Sequence, residues 1–115
     1  MESVLEQKSF RFAVRIVKLC RHLNAGEKEY TLSKQLLRSG TSIGANIAEA
    51  QQAQSKADFI SKLSIALKET TETKYWLRLL HATEYLAQQE YVSIVSDCVE
   101  LEKMLVSSVK TSKGI

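Results

Sequence analysis

Apolar residues in this chain recur at three- and four-residue intervals in four blocks, broken by three short polar stretches. The spacing predicts helices over about residues 3–23, 31–52, 56–86 and 90–109. The second block is the most telling, because its composition suggests a loop and its spacing a helix. At 100° per residue, Leu32, Leu36, Ile43, Ile47 and Ala50 fall on one face, and Gly40, Gly44 and Ala48 form a second stripe beside it. Ser39 and Asn46 lie on the apolar seam, while Gln35, Arg38, Ser42 and Glu49 share the opposite side. A loop has no reason to sort its residues this way. Each interior glycine costs a helix about 1 kcal/mol relative to alanine, so close packing against a neighbouring helix must compensate. Asn46 is expected to fix helix register.

The breaks carry their own signals. Asn24-Ala25-Gly26 is a stop, with Gly26 suited to a left-handed C-terminal cap. Thr31 is a candidate N-cap, and Ser55-Lys56-Ala57-Asp58 resembles a capping box. Gln88-Gln89-Glu90 is a weaker break, and the tail from Lys110 to Ile115 is expected to fray. Connections this short place consecutive helices antiparallel. The expected architecture is all-α, an antiparallel up-and-down four-helix bundle forming one domain over residues 1–115.

The apolar faces are wider than one bundle needs. On the first helix they span roughly 220°, where a helix on the outside of a monomeric bundle uses an apolar stripe nearer ~100°. The third helix adds Ile65, Trp76 and Leu79 opposite its main seam, and the fourth adds Val92, Val99 and Val106. Surplus apolar surface marks interfaces, so a homo-oligomer is expected, with Trp76 as an interface anchor.

Composition narrows the class. The chain has no proline, only four glycines and no apolar run near the ~20 residues a membrane span requires. Its first residues lack the basic and apolar regions of a signal peptide, which points to the cytoplasm. Cys20 and Cys98 sit on apolar faces and read as buried reduced thiols. The net charge of +3 is mild, but its placement is not even. Lys8, Arg11, Arg15, Lys18 and His22 share one arc of the first helix, with Arg21 at its edge and no acidic residue of that helix among them. A row of like charges suits a phosphate backbone. The competing reading is a solvated face neutralised by acidic residues of a neighbouring subunit. No base-reading motif is present, so binding is expected to be backbone-directed.

Enzyme chemistry finds little support. Carboxylate-bridged metal bundles carry Glu-x-x-His pairs. Here neither His22 nor His81 follows a glutamate by three. Glu49, Glu69 and Glu72 are better assigned to ion pairs with Arg38, Lys68 or a neighbouring chain. Gly40–Gly44 lacks the Gly-Lys-Ser/Thr ending and preceding strand of a phosphate loop. Neither a metal nor a cofactor is expected.

The runs Lys8-Ser9-Phe10, Phe12–Val17, Ser33–Ala50, Ser55–Phe59, Lys62–Glu69 and Glu72–Leu77 resemble the four-helix-bundle family named after the protein encoded in 23S rRNA intervening sequences. The likeness covers about positions 8 to 105 and is most specific from Gln35 to Glu49. It implies a small antiparallel four-helix bundle that assembles into a ring, commonly a pentamer, and it does not imply an enzyme. It also implies kinship with the accessory variability protein of diversity-generating retroelements, a basic barrel-shaped pentamer that binds nucleic acid and a reverse transcriptase. The expected function is then non-catalytic binding of RNA or DNA through Lys8, Arg11, Arg15, Lys18, His22 and Arg38. Gly40, Gly44, Asn46, Ala48, Ile65, Trp76 and Leu79 would serve helix packing or subunit contact. The alternative is a protein–protein scaffold without nucleic-acid binding. No membrane partner is expected.

Overall fold

Each helix starts where the chain can satisfy its first free amides. In the computed structural model, which describes residues 2–115, the first helix, α1, spans Val4–Ala25 behind a complete capping box. The Ser3 hydroxyl accepts from the Glu6 amide at 3.1 Å, and the Glu6 carboxylate accepts from the Ser3 amide at 3.2 Å. The second, α2, spans Thr31–Ala50. Thr31 is not its cap. Glu29 instead offers both carboxylate oxygens, to the amides of Leu32 at 3.0 Å and Ser33 at 2.9 Å. A carboxylate satisfies two donors at once and adds a favourable charge at the positive end of the helix. Gly26 is not left-handed either, with φ of −83°. The backbone reverses two residues later, at Lys28, with φ of 53°.

The third helix, α3, spans Lys56–Ala82, and the fourth, α4, spans Gln88–Lys113. Ser55 caps α3 by accepting from the Asp58 amide at 3.0 Å, but Asp58 reaches back to the amide of Gln54. The reciprocal half of the expected box is thus displaced by one residue. α3 ends four residues earlier than its pattern suggests, because Glu84 takes a positive φ of 70° and turns the chain. Leu86 then folds into the core from the connection. The tail expected to fray is helical to Lys113. Buried Val109 ties its last turns to the bundle, and Gly114 closes it in the left-handed conformation.

Side-chain pairs give the topology. Cys20 meets Ser33 and Ile16 meets Gly40, so α1 and α2 run antiparallel. Arg38 with Glu72 and Glu49 with Lys62 show the same for α2 and α3, as do His81 with Tyr91 and Thr70 with Cys98 for α3 and α4. Lys8 with Glu100 and Arg15 with Asp97 close the ring between α1 and α4. This up-and-down bundle is a rod of 44 × 23 × 22 Å in which the Cα atoms of diagonal helices stay more than 8 Å apart. Phe12, Ile16, Leu36, Ile43, Ile47, Leu63, Leu77, Ile94, Leu101 and Leu105 fill its axis. No helix among the described residues is long and apolar enough to cross a membrane.

The four contacts are unequal. At the α1–α2 contact a Cβ on Gly40 would lie 2.8 Å from Ile16 Cγ1 and 2.9 Å from Cγ2. The glycine stripe therefore faces α1, and its missing side chain is what lets Ile16 sit against the α2 backbone. Contact between α1 and α4 is the sparsest of the four. One hydrogen bond joins buried side chains across helices, from the Thr73 hydroxyl to Ser39 at 3.1 Å.

Gly40 and Gly44 should therefore respond oppositely to alanine. Gly40→Ala drives a methyl into a buried, β-branched Ile16 with nowhere to move, and urea denaturation should show a net loss of about 1–2 kcal/mol. A Cβ on Gly44 meets Ser9 at an ordinary 3.4 Å, so Gly44→Ala should be neutral or gain up to about 1 kcal/mol from helix propensity. Equal losses at both positions would contradict this account of the contact.

Candidate nucleic-acid interface

Helical periodicity sets Lys8, Arg11, Arg15, Lys18 and His22 in one row, about 21 Å long at 1.5 Å per residue. The structure places this row along the seam with α4. Two of its members are engaged there. Lys8 Nζ donates to Glu100 Oε1 at 2.8 Å. Arg15 Nη1 donates to Asp97 Oδ2 at 2.7 Å while Nη2 donates to the Ser93 hydroxyl at 3.2 Å. Arg11, Lys18 and His22 are exposed and form no ion pair among the described residues. Two grooves follow the seam. One of about 350 Å³ is lined by Lys8, Arg11, Arg15, Asp97 and Glu100, and one of about 210 Å³ by Arg15, Lys18, His22 and Glu90. Carboxylates of the same chain, rather than of a neighbouring subunit, pair with Lys8 and Arg15. Their signal was present: Ser93, Asp97 and Glu100 recur at four- and three-residue spacing on one face of α4.

Arg38 is not part of this row. It lies on the α2–α3 side, clasped between Glu72 and, at 3.6 Å, Glu69. Glu72 also accepts from Trp76 Nε1 at 2.9 Å, and Tyr75 packs edge-on against the Trp76 ring at 5.0 Å between centroids. Glu69 Oε2 is buried without a hydrogen-bond donor, since the nearest Arg38 nitrogen stands at ion-pair rather than hydrogen-bond distance. Ile65 is 39% exposed, and Trp76 and Leu79 are half-buried. Asn46 spends its amide on the Ser42 carbonyl one turn back, at 2.9 Å, while Ser39 and Thr73 make a buried polar tie between α2 and α3. Gly44 and Ala48 border a third groove, of about 330 Å³, between α1 and α2. Its rim holds Phe10, which is 70% exposed.

A family model described as 23S rRNA-intervening sequence protein matches residues 2–107. A crystal structure at 1.70 Å from Bacteroides thetaiotaomicron VPI-5482, described as a protein with unknown function from the S23 ribosomal protein family, superposes with a TM-score of 0.92. The two chains are 59% identical over 93% of this chain and 99% of that one. A search of curated proteins returned no match.

The described residues hold no cluster of three or more metal-ligating side chains. The two thiols are buried and unpaired. Burial, reinforced by the nearby Glu29 charge, pushes Cys20 up from 9.0 to about 11. Burial likewise lifts Cys98 to about 12, with Glu102 and Asp97 adding to it and Lys74 opposing it. Both thiols are therefore neutral near pH 7 and poor nucleophiles. Each folded value lies above the unfolded one, so their contribution to stability is complete below about pH 9 and is lost as pH rises through 11 and 12. The urea midpoint of the wild type should fall more steeply between pH 9 and 10.5 than that of a Cys20→Ala/Cys98→Ala variant. Parallel curves would show that these thiols are not desolvated.

Proposed function

This chain belongs to the 23S rRNA-intervening sequence protein family, and on that premise we propose that it is a non-catalytic, self-assembling helical bundle that binds an RNA or DNA backbone through α1. The observation that carries this reading is the open part of the α1 row. Arg11, Lys18 and His22 point to solvent on one line, with no partner among the described residues. Arg11 and Lys18 stand two turns apart, about 10.5 Å, a span matching roughly three phosphates of one duplex strand.

Assembly is the second part of the proposal. Phe10 at 70%, Val92 at 50% and Ile65 at 39% leave apolar surface on several sides of the rod, and such surface favours burial against further copies. A ring, with a pentamer favoured, would array one α1 row per subunit and concentrate a field that a net charge of +3 alone does not supply. The cytoplasm is the proposed compartment. A second reading is a protein-docking module, in which a reverse transcriptase or another protein engages the assembly. The specific observation in its favour is the α1–α2 groove, whose walls of Ala13, Gly44, Ala45 and Ala48 are apolar and small.

Protein purified at low salt should carry material absorbing at 260 nm that high salt removes. Arg11→Glu/Lys18→Glu should weaken binding to a short RNA duplex at least ~10-fold and flatten the dependence of log K on log salt by about two units. Unchanged affinity and slope would remove α1 from the interface, and a wild type without any bound nucleic acid would favour the docking module. Light scattering should give a multiple of 13.0 kDa, reduced by Phe10→Asp. A wild type already at 13.0 kDa would end the assembly proposal.

A further inference from the structure

The α1 row presents two kinds of cation, and the difference lies in α4. Arg15 holds its guanidinium fork against two acceptors at once, Asp97 and Ser93, which is how such a fork would grip two phosphate oxygens. Lys8 likewise rests on Glu100. These carboxylates do not belong to a packed interface. The α1–α4 contact is the sparsest in the bundle, and both ion pairs border the open 350 Å³ groove. Their side chains are 36–54% exposed, a degree of exposure at which an ion pair contributes little to stability. The chain's other ion pairs lie between α2 and α3 or α3 and α4, where close helix packing already holds the partners side by side. Here the pairs span a gap that packing leaves open.

Resting on the nucleic-acid reading above, we propose that Ser93, Asp97 and Glu100 form an internal phosphate surrogate, an autoinhibitory contact that occupies Lys8 and Arg15 until a polyanion displaces it. The row then binds in two stages. Arg11 and Lys18 meet the backbone first. Lys8 and Arg15 exchange their carboxylates for phosphates only when the ligand holds several phosphates in place along α1. A single small anion offers too little charge to replace both carboxylates. A nucleic-acid strand offers consecutive charges and releases its condensed counterions in the exchange. Asp97 and Glu100 are thus affinity-setting residues: they raise the charge density a ligand needs and lower the binding of weakly charged competitors.

The test is Asp97→Asn/Glu100→Gln, measured with a short RNA duplex across a salt series. Affinity should rise about 3- to 10-fold near 0.1 M salt, and the slope of log K against log salt should steepen by up to about two contacts. The gain should shrink at high salt as screening shortens the reach of the removed charges. Adding Lys8→Ala and Arg15→Ala to that variant should cancel the gain. Should the double variant lose helicity, Glu100→Gln alone, at an exposed position, should give a smaller increase in the same direction. Unchanged affinity and slope in the carboxylate variants, together with lost binding in Arg11→Glu/Lys18→Glu, would overturn the surrogate and leave the binding reading intact. No binding by wild type or variants would overturn both.

Discussion

The seating of Ile16 on Gly40 governs how α1 sits in the bundle. A helix flank can approach a neighbouring backbone only where side chains are missing, and the glycine stripe of α2 supplies that flank. The opposite flank of α1 carries lysines and arginines, which cannot be buried against α4 without losing their hydration. α1 therefore packs tightly on one side and leaves a groove on the other. The open seam, its two bridging ion pairs and the exposed cations between them all follow from that asymmetry.

Electrostatically, the seam is a compromise between exposure and neutralisation. The acidic stripe of α4 lies opposite the basic row, so the field of α1 is weaker than its own sequence implies. Arg38, on the α2–α3 side, is paired with Glu69 and Glu72. What stays unpaired is a shorter row, with Lys8 and Arg15 matched by carboxylates of α4 beside it. Net charge alone does not convey this, because opposite charges within a Debye length of about 8–10 Å largely cancel in their effect on a distant ligand.

The apolar surface tells a parallel story. The core takes what four facing seams can hide, and Ile65, Val92 and Phe10 are left over on different sides of the rod. Trp76 is neither core nor free surface. Its indole is tied to Glu72 while one side of the ring meets Tyr75. These leftover apolar groups are spread over several faces of the rod rather than gathered in one patch.

Periodicity alone determined the four helices and their order. Apolar residues three and four apart have one way to share a seam, and short connections leave one way to stack consecutive rods. It also determined that the stripe of Gly40, Gly44 and Ala48 is a helix surface and that Lys8 to His22 lie in a row, since both are properties of a single helix. The ends were less legible. Glu29 caps α2 from outside its first turn, Lys28 and Glu84 make the reversals assigned to other residues, and buried Val109 carries α4 past its expected end. The tertiary structure alone decided what each row faces. Whether a basic side chain is free or matched by a carboxylate depends on the register between α1 and α4, whose paired residues lie 82 and 92 positions apart in the chain. That register is set by how Ile16 settles against Gly40 and by the core behind it, and no pattern within one helix encodes it.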